Sequence, residues 1–304
     1  MSPLALALVL AAALCHASWN LIAKRSGGGG NEFVLMSSAW VGILWAPAAV
    51  WAGLRGVSGW GAGEWGILAA SALLHVLYFR CLLHGYSVSD LTVVYPLARG
   101  SGPLLSSVAA VFVLGERLSV LGGAGALAVV LGVFLIAGGP AVVRQMIGTD
   151  ALPACDQRLR ARHRLHLGLF WGGLTGVFVA TYTVVDAYAV KTMLLSPVLV
   201  DYVGNVLRIP VLAPLVLRNP ARMAAAWRAH WKAALAIAVL GPTSYIMVLY
   251  AMKLAPLSHV APARELSMLF AALLGGSLLG EGDRRLRILG ALSIAVGVMA
   301  LALG

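Results

Sequence analysis

Charged residues are scarce in this sequence of 304 residues. Only 11% of the chain is Asp, Glu, Lys or Arg, whereas 61% is hydrophobic and the mean hydropathy is +0.91. Soluble globular domains carry about 25% charged residues, so this composition excludes that class and indicates an integral membrane protein. Segments of alternating polarity are also lacking, and an unbroken apolar run such as residues 121–139 excludes a membrane-spanning β-barrel.

Cysteines and the common motifs of catalysis are equally sparse. The three cysteines, Cys15, Cys81 and Cys155, share no metal-binding or redox spacing and are predicted to be packing residues. The sequence has no HExxH zinc motif, no P-loop and no complete glycine-rich nucleotide motif, and the small residues at 123–128 favour close helix packing instead. We therefore predict no catalytic site, no metal and no cofactor.

Long apolar runs are abundant. A spanning helix needs about 20 apolar residues, and ten runs are suitable when their ends are placed at charges, prolines and tryptophans. They cover residues 3–23, 33–53, 65–85, 91–114, 120–138, 167–189, 197–217, 232–251, 258–279 and 287–303. The first run is predicted to span the membrane rather than to be a secretory signal, because residues 1–14 contain no Lys or Arg and no convincing cleavage site follows.

The positive charges are distributed unevenly between the connections. The net charge is +11, and alternate connections hold 14 of the 22 Lys and Arg residues, at 24–32, 86–90, 139–166, 218–232 and 280–287. The positive-inside rule assigns this set to the cytoplasm. We predict a multi-pass protein of the cell inner membrane with extracytoplasmic termini and a cytoplasmic loop at 140–166. Its basic run is expected to lie near anionic lipid headgroups, and no nucleic-acid partner is expected.

An internal repeat relates the two halves of the chain. The motifs are PLAR at 96–99 with LGER at 114–117, and PAR at 262–264 with LGEG at 279–282. Arg99 and Arg264 are 165 residues apart, as are Glu116 and Glu281, and a glycine-rich apolar run follows each LGE. The repetition at one offset indicates duplication of a single five-helix unit.

An odd number of spans in each repeat determines their relative direction. We predict an all-α membrane fold of two five-helix repeats, at 1–139 and 167–304, joined by a basic linker at 140–166. Two repeats of five spans must enter the membrane from opposite sides, so they are inverted. Inverted repeats are typical of secondary transporters, which use them to form two near-equivalent conformations open to opposite sides.

Taken together, the ten spans, the paired arginine and LGE motifs and the glycine-patterned final helices resemble the drug/metabolite transporter superfamily, in its EamA-type branch. The resemblance covers almost the whole chain. It implies a central cavity lined mainly by spans 1, 3, 4, 6, 8 and 9, with spans 5 and 10 peripheral. It also implies transport of a metabolite, because relatives move amino acids, drugs, sugars and other small molecules.

Ionisable residues inside predicted spans are the first candidates for a substrate site. An Arg or Asp at mid-helix costs about 2.5–3.5 kcal/mol on insertion scales and faces a protein interior or a cavity. Arg99, Arg264 and Glu265 are predicted to border the cavity, where an arginine could bind a carboxylate or phosphate of the substrate. The alternatives are an ion pair with a carboxylate such as Glu265 or Asp186, and snorkelling to the surface.

Other polar and aromatic residues are predicted substrate contacts because they share helix faces within cavity-lining spans. They are Tyr95, His16, Trp19, Asn20, His75, Tyr78, Tyr182, Asp186 and Tyr245. Asp186 is also a candidate for proton coupling, as an intramembrane carboxylate. Asp201, Asn205 and Arg208 form a separate stripe that we interpret as a structural clamp.

Three further patterns predict structural roles. Glu116 and Glu281 are expected to stabilise turns near backbone donors. Glycines at 168, 172 and 176 predict a close-packing helix face. Tryptophans in the run 220–232 predict an interfacial helix at the cytoplasmic headgroups.

These observations predict a secondary transporter of a small polar metabolite, with an amino acid or an organic anion favoured by the two arginines. Export is favoured over import, although the residues do not fix the direction, the substrate or the coupling to protons. A flippase for a lipid-linked sugar and an intramembrane enzyme are the alternatives. The expected partners are a small-molecule substrate and the lipid bilayer, and the oligomeric state stays open, with a monomer among the options.

Overall fold

The computed structural model describes residues 1–26, 30–54, 56–89, 91–136, 155–275 and 284–304. This part of the chain contains twelve α-helices, one short 3₁₀ turn and no strand. The helices are α1 (Pro3–Arg25), α2 (Asn31–Leu44), α3 (Ala46–Gly53), α4 (Ala62–Val88), α5 (Leu91–Val113), α6 (Val120–Ile136), α7 (Cys155–Lys191), α8 (Pro197–Val216), α9 (Pro220–Leu254), α10 (Leu257–Ala263), α11 (Leu266–Gly275) and α12 (Arg284–Leu303). Glu281 and residues 140–154 of the predicted linker lie outside the described residues.

Five helices of the described residues are long and apolar enough to cross a membrane: α1, α4, α7, α8 and α9. The pair α2 and α3 becomes a sixth span if it is counted as one, with a bend of 53° at Trp45. Pro47 lies in the first turn of α3 and has no N–H to donate to the carbonyl of Ile43, which explains a bend at this point.

The sequence predicts more spans than the five or six that satisfy length and hydropathy together. Helix α5 has 23 residues but carries Arg99, Pro103 and several serines and glycines. Helix α6 and the apolar part of α12 are no longer than 17 residues, somewhat short of the roughly 20 that a spanning helix needs. The predicted span 258–279 is divided between α10 and α11.

Two helices begin earlier than predicted. Helix α7 starts at Cys155, so residues 155–166 are helical rather than a loop. Helix α9 starts at Pro220, so the predicted helix at 220–232 is present and is continuous with the span that follows it. Its position at the membrane interface stays a prediction. With 37 and 35 residues, these helices are about 50 Å long and extend beyond a hydrocarbon core of about 30 Å.

The described helices form two compact units, and each unit draws on both sequence repeats. The first unit comprises Leu74–Val184 and Pro256–Gly304 together with Met1. The second unit comprises Ser2–Leu73 and Val185–Ala255. Contacts within each unit therefore join residues that are far apart in the sequence.

Glycines bring α6 and α12 into backbone contact within the first unit. A Cβ added at Gly132 would lie 2.5 Å from the carbonyl oxygen of Gly290, and one at Gly125 would lie 2.7 Å from that of Gly297. The residue number falls along α12 as it rises along α6, so the helices are antiparallel. Each glycine contacts the residue 165 positions after the other glycine, which is the reciprocal contact of a two-fold axis. The equivalent helices thus run in opposite directions, as inverted repeats require.

Glycines also bring α7 close to α5 in the first unit. A Cβ added at Gly172 would lie 3.0 Å from the carbonyl oxygen of Val94, and one at Gly176 would clash with the hydroxyl of Ser101. The close-packing face predicted for residues 168–176 is confirmed. This face packs α7 against the N-terminal half of α5, which contains Arg99.

The second unit packs around apolar side chains of α2, α8 and α9. Phe33 and Met36 contact Ala234 in one cluster, and Leu35 contacts Leu212 and Val216 in another. The hydroxyl of Ser244 in α9 donates to the carbonyl oxygen of Ala12 in α1 at 2.8 Å. At the start of α9, Trp227 stacks on Trp40 with ring centroids 5.9 Å apart, and Arg222 pairs with Glu32 at 2.8 Å.

Candidate functional site

A helix break places Arg264 and Glu265 inside the first unit. Helix α10 ends at Ala263 and α11 begins at Leu266, so the two ionisable residues occupy the break. Pro262 has no N–H, and the carbonyl of Ser258 four residues earlier loses its helical donor. The hydroxyl of Ser107 in α5 lies 3.2 Å from this carbonyl and 2.8 Å from the carbonyl oxygen of Pro103 in its own helix, so its one proton is shared between the two acceptors. Arg264 and Glu265 are 7% and 1% exposed, so the break exposes charged groups to the protein interior rather than to lipid.

Arg99 and Glu265 form an ion pair across the first unit. The Nε atom of Arg99 lies 3.4 Å from Oε2 of Glu265, and its Nη2 atom lies 3.4 Å from the hydroxyl of Ser267. The side chain of Arg99 is 22% exposed and that of Glu265 is 2% exposed. The arginine therefore connects the buried carboxylate to an accessible surface.

Aromatic side chains surround Arg99. The ring of Tyr182 in α7 lies 4.0 Å from that of His75 and 5.5 Å from that of Tyr78 in α4, between ring centroids. The hydroxyl of Tyr95 donates to the sulfur of Met268 at 3.0 Å. Tyr95, Tyr78 and Tyr182 are all close enough to interact electrostatically with the guanidinium of Arg99. The charged pair thus has three tyrosines within electrostatic range.

The first LGE motif connects α5 to α10. Gly115 has a φ of +65°, a conformation that ends α5 without a side-chain clash. The N–H of Glu116 then donates to the carbonyl of Ala110 at 3.3 Å. The carboxylate of Glu116 accepts the N–H groups of Leu257 and Ser258 at 2.7 and 2.9 Å. The prediction that Glu116 lies near backbone donors is confirmed, and those donors belong to another helix rather than to its own turn.

A second carboxylate cluster lies in the second unit. Asp186 is fully buried, and its carboxylate accepts hydrogen bonds from Ser71 at 2.5 Å and from the hydroxyl of Tyr245. Asp201, which is 8% exposed, interacts electrostatically with both Asp186 and Arg208. Two carboxylates thus share one buried region of this unit.

His16, Trp19 and Asn20 form a local group on α1 in the second unit. The rings of His16 and Trp19 meet edge to face with centroids 4.9 Å apart. The amide of Asn20 donates to the main-chain oxygen of His16 at 2.7 Å. These contacts stay within one helix and leave the predicted role in substrate binding as a prediction.

The structure thus gathers most of the predicted residues into two groups, besides the local group of His16, Trp19 and Asn20 on α1. In the first unit Arg99, Glu265, Tyr95, Tyr78, Tyr182 and His75 lie together, with Arg264 next to Glu265 in the helix break. In the second unit Asp186 and Tyr245 are in contact. The sequence predicts Arg264 and Glu265 at the border of a cavity, whereas Ser71, Ser107 and Ser267 were not predicted. Ser71 could have been found, because it precedes His75 by one helical turn and shares the polar face of α4.

The antiparallel repeat helices, the broken helix and the buried ion pair are features of helical membrane transporters. The sequence model of the EamA-like transporter family matches the chain twice, over residues 3–138 and 166–303. The chain belongs to the EamA-like transporter family, and with it to the drug/metabolite transporter superfamily. It is a multi-pass helical membrane protein.

Solved structures share this fold. A crystal structure of another protein superposes with a TM-score of 0.70 at 18% sequence identity, covering 98% of this chain and 96% of the other. It is one of 27 matching chains. No curated protein sequence matches the chain.

Proposed function

We propose that the protein is a secondary transporter that moves a small polar metabolite with an anionic group, an amino acid or an organic anion, out of the cell across the inner membrane. The observation that carries this proposal is the Arg99–Glu265 pair beside the broken helix. A buried carboxylate at membrane depth is costly unless it is paired or hydrogen-bonded. The place of this carboxylate beside a partly exposed arginine favours a role of the pair in substrate binding.

The geometry of the pair favours exchange of partners. Nε of Arg99 and Oε2 of Glu265 are 3.4 Å apart, longer than the roughly 2.7–2.9 Å of a strong charge-assisted hydrogen bond. A substrate carboxylate of better geometry competes for the planar donors of Arg99. In a zwitterionic amino acid, the ammonium group can then bind to Glu265. Each charge exchanges one partner for another, so neither is left uncompensated during binding.

The discontinuous helix supports the same role. Transporters use broken helices at membrane depth because the free main-chain groups at the break bind polar substrates, and because a short segment can move alone. Helix α10 has only seven residues between the turn at Ala255–Pro256 and the break at Arg264. We infer that Arg264 contributes a second positive charge to the site from this segment.

The proposed topology has ten spans in two inverted repeats. In this topology the bent pair α2 and α3 counts as one span and α10 with α11 as another, so that the twelve helices of the described residues make ten crossings. Five or six of these crossings have the length and hydropathy of a span by themselves. Access to the substrate alternates between the two sides of the membrane as the helices exchange between two conformations related by the inverted repeats, residues 1–139 and 167–304. Both termini are extracytoplasmic and the linker at 140–166 is cytoplasmic.

Asp186 is the proposed coupling group. Its two oxygens accept hydroxyl hydrogen bonds from different helices, and it is fully buried in the second unit. A carboxylate held in this way can exist as the anion or as the acid without loss of its neighbours, because hydroxyl groups both donate and accept. Asp186 can therefore bind a proton in one step of the transport cycle and release it in another, which couples proton movement to substrate movement.

The test is transport in proteoliposomes. Purified protein is reconstituted and offered a panel of radiolabelled amino acids and dicarboxylates, and uptake is compared with that of Arg99→Ala, Arg264→Ala and Arg80→Ala. Arg80 is an exposed arginine of α4 and is the matched control. We expect uptake of at least one anionic or zwitterionic compound, a loss of about tenfold or more for the two site variants, and none for the control. Unchanged affinity in both site variants would contradict the assignment of the site.

A further inference from the structure

The carboxylate of Glu116 holds a helix that carries the proposed substrate site. Its two oxygens accept the N–H groups of Leu257 and Ser258, the first two residues of α10. Both residues are fully buried, and N–H groups of a first helical turn have no acceptor within their own helix. We propose that Glu116 is a positioning residue for substrate binding, which sets the place of Arg264 and Glu265 by holding α10. The proposal rests on the proposed function.

The backbone that carries Glu116 is itself fixed. Gly115 adopts a φ of +65°, and the N–H of Glu116 donates to the carbonyl of Ala110 in the last turns of α5. These are the contacts of a helix-ending motif, which leaves little freedom to the next residue. The position of the carboxylate is therefore set by α5.

The same helix α5 holds the segment at two further points. The hydroxyl of Ser107 shares its proton between the carbonyl oxygen of Pro103 at 2.8 Å and that of Ser258 at 3.2 Å, which Pro262 leaves without a helical donor. Arg99 pairs with Glu265 in the break. Residues of α5 and of the turn after it thus contact the start of α10, the carbonyl of Ser258 and the side chain of Glu265.

The short length of α10 makes the position of its start matter at the site. Seven helical residues extend about 10 Å and move as one rigid piece. If the hold at Leu257 and Ser258 is released, a displacement there is carried to Arg264 at the opposite end of α10. The expected consequence is a change in substrate affinity, because arginine recognition of a carboxylate depends on geometry.

Substitution of the carboxylate by an amide tests this directly. Glu116→Gln keeps the size of the side chain but loses one acceptor oxygen and the charge. We expect the KM for the transported substrate to rise by about tenfold, with the maximal rate within about twofold, as when one charged hydrogen bond to the substrate is misaligned. Glu116→Asp keeps the carboxylate and should recover part of the affinity. Arg117→Ala, which alters the exposed neighbouring side chain, is the control and should leave KM unchanged.

A measurement independent of transport tests the hold on α10. Ser258 is replaced by cysteine in a chain in which Cys15, Cys81 and Cys155 are replaced by alanine, and labelling by a water-soluble maleimide is timed. Release of α10 by Glu116→Gln should speed labelling by about tenfold, and Glu116→Asp should have a smaller effect. If no compound is transported by the unaltered protein, the proposed function fails while the labelling still reports on Glu116.

Two results would overturn the positioning role. One is an equal labelling rate with and without the carboxylate. The other is faster labelling with an unchanged KM, which would make Glu116 a structural cap without influence on the site. Should Glu116→Gln not insert into the membrane, the same comparison is made with Glu116→Asp, whose shorter side chain should hold α10 less well. A KM and a labelling rate equal to those of the unaltered protein would then contradict the positioning role.

Discussion

The hydroxyl of Ser293 in α12 donates to the main-chain oxygen of Ala128 in α6 at 2.6 Å, and the two residues are 165 positions apart. This separation equals the offset of the sequence repeat, so each residue contacts its own equivalent. Between two antiparallel helices related by a two-fold axis, only residues at the axis can do so. The hydrogen bond therefore marks the axis, with the glycine contacts of Gly125 and Gly132 on either side of it.

A methyl group at Gly132 should destabilise this helix pair. Its Cβ would lie 2.5 Å from the carbonyl oxygen of Gly290, and a main-chain atom cannot move aside as a side chain can. We expect Gly132→Ala to lower the free energy of unfolding in detergent micelles by about 1–3 kcal/mol, the usual cost of overpacking. Gly123→Ala is the control, since its Cβ would meet only the side chain of Leu118 at 3.6 Å. Equal unfolding midpoints would contradict the contact.

Much of this packing could be predicted from the sequence, because close backbone contact requires glycine at regular spacing. The glycines at 168, 172 and 176 predict the face of α7 that contacts α5, and the offset of 165 relates α6 to α12. Helix ends were also predictable to within a few residues where charges or prolines mark them. The early starts of α7 and α9 were not, because their basic and apolar segments form one continuous helix.

The charged pair was only partly predictable. The sequence placed Arg99, Arg264 and Glu265 inside spans and left a carboxylate partner for each arginine among the alternatives. Helical spacing could not decide which partner was used, since the break at Arg264 and Glu265 changes the faces of the residues that follow it. Pairing between α5 and the break depends on packing between distant segments, and no local pattern encodes it.

Removal of one member of the ion pair should cost more than removal of both. Arg99→Met leaves the carboxylate of Glu265, which is 2% exposed, without this partner. Breaking a buried pair costs about 3–5 kcal/mol, and the lower end applies because Arg99 is partly exposed. We expect the unfolding temperature to fall in Arg99→Met and to recover in the double variant with Glu265→Gln. Neither variant should transport substrate, and recovery of transport in the double variant would exclude a binding role for the pair.

Replacement of Asp186 should separate transport from the proton gradient. Asp186→Asn retains an oxygen for one of the two hydroxyl donors but cannot gain or lose a proton. We expect exchange of substrate across liposomes at equal pH to persist within about fivefold, since one hydrogen bond of about 1 kcal/mol changes. Accumulation driven by a pH gradient should be abolished. Tyr245→Phe, which keeps the carboxylate, should still accumulate substrate, and gradient-driven accumulation by Asp186→Asn would exclude the coupling role.

The two ends of α9 should be accessible from opposite sides of the membrane. Arg228 and Lys253 are both exposed and lie 25 residues apart on one helix, about 37 Å, which exceeds the hydrocarbon core of about 30 Å. The basic connection that precedes α9 is predicted to be cytoplasmic. In a chain without other cysteines, an impermeant maleimide added to intact cells should label Lys253→Cys and not Arg228→Cys. In inside-out vesicles the pattern should reverse, because the vesicle exterior then corresponds to the cytoplasmic side. Labelling of Arg228→Cys in intact cells would invert the proposed orientation and place both termini in the cytoplasm.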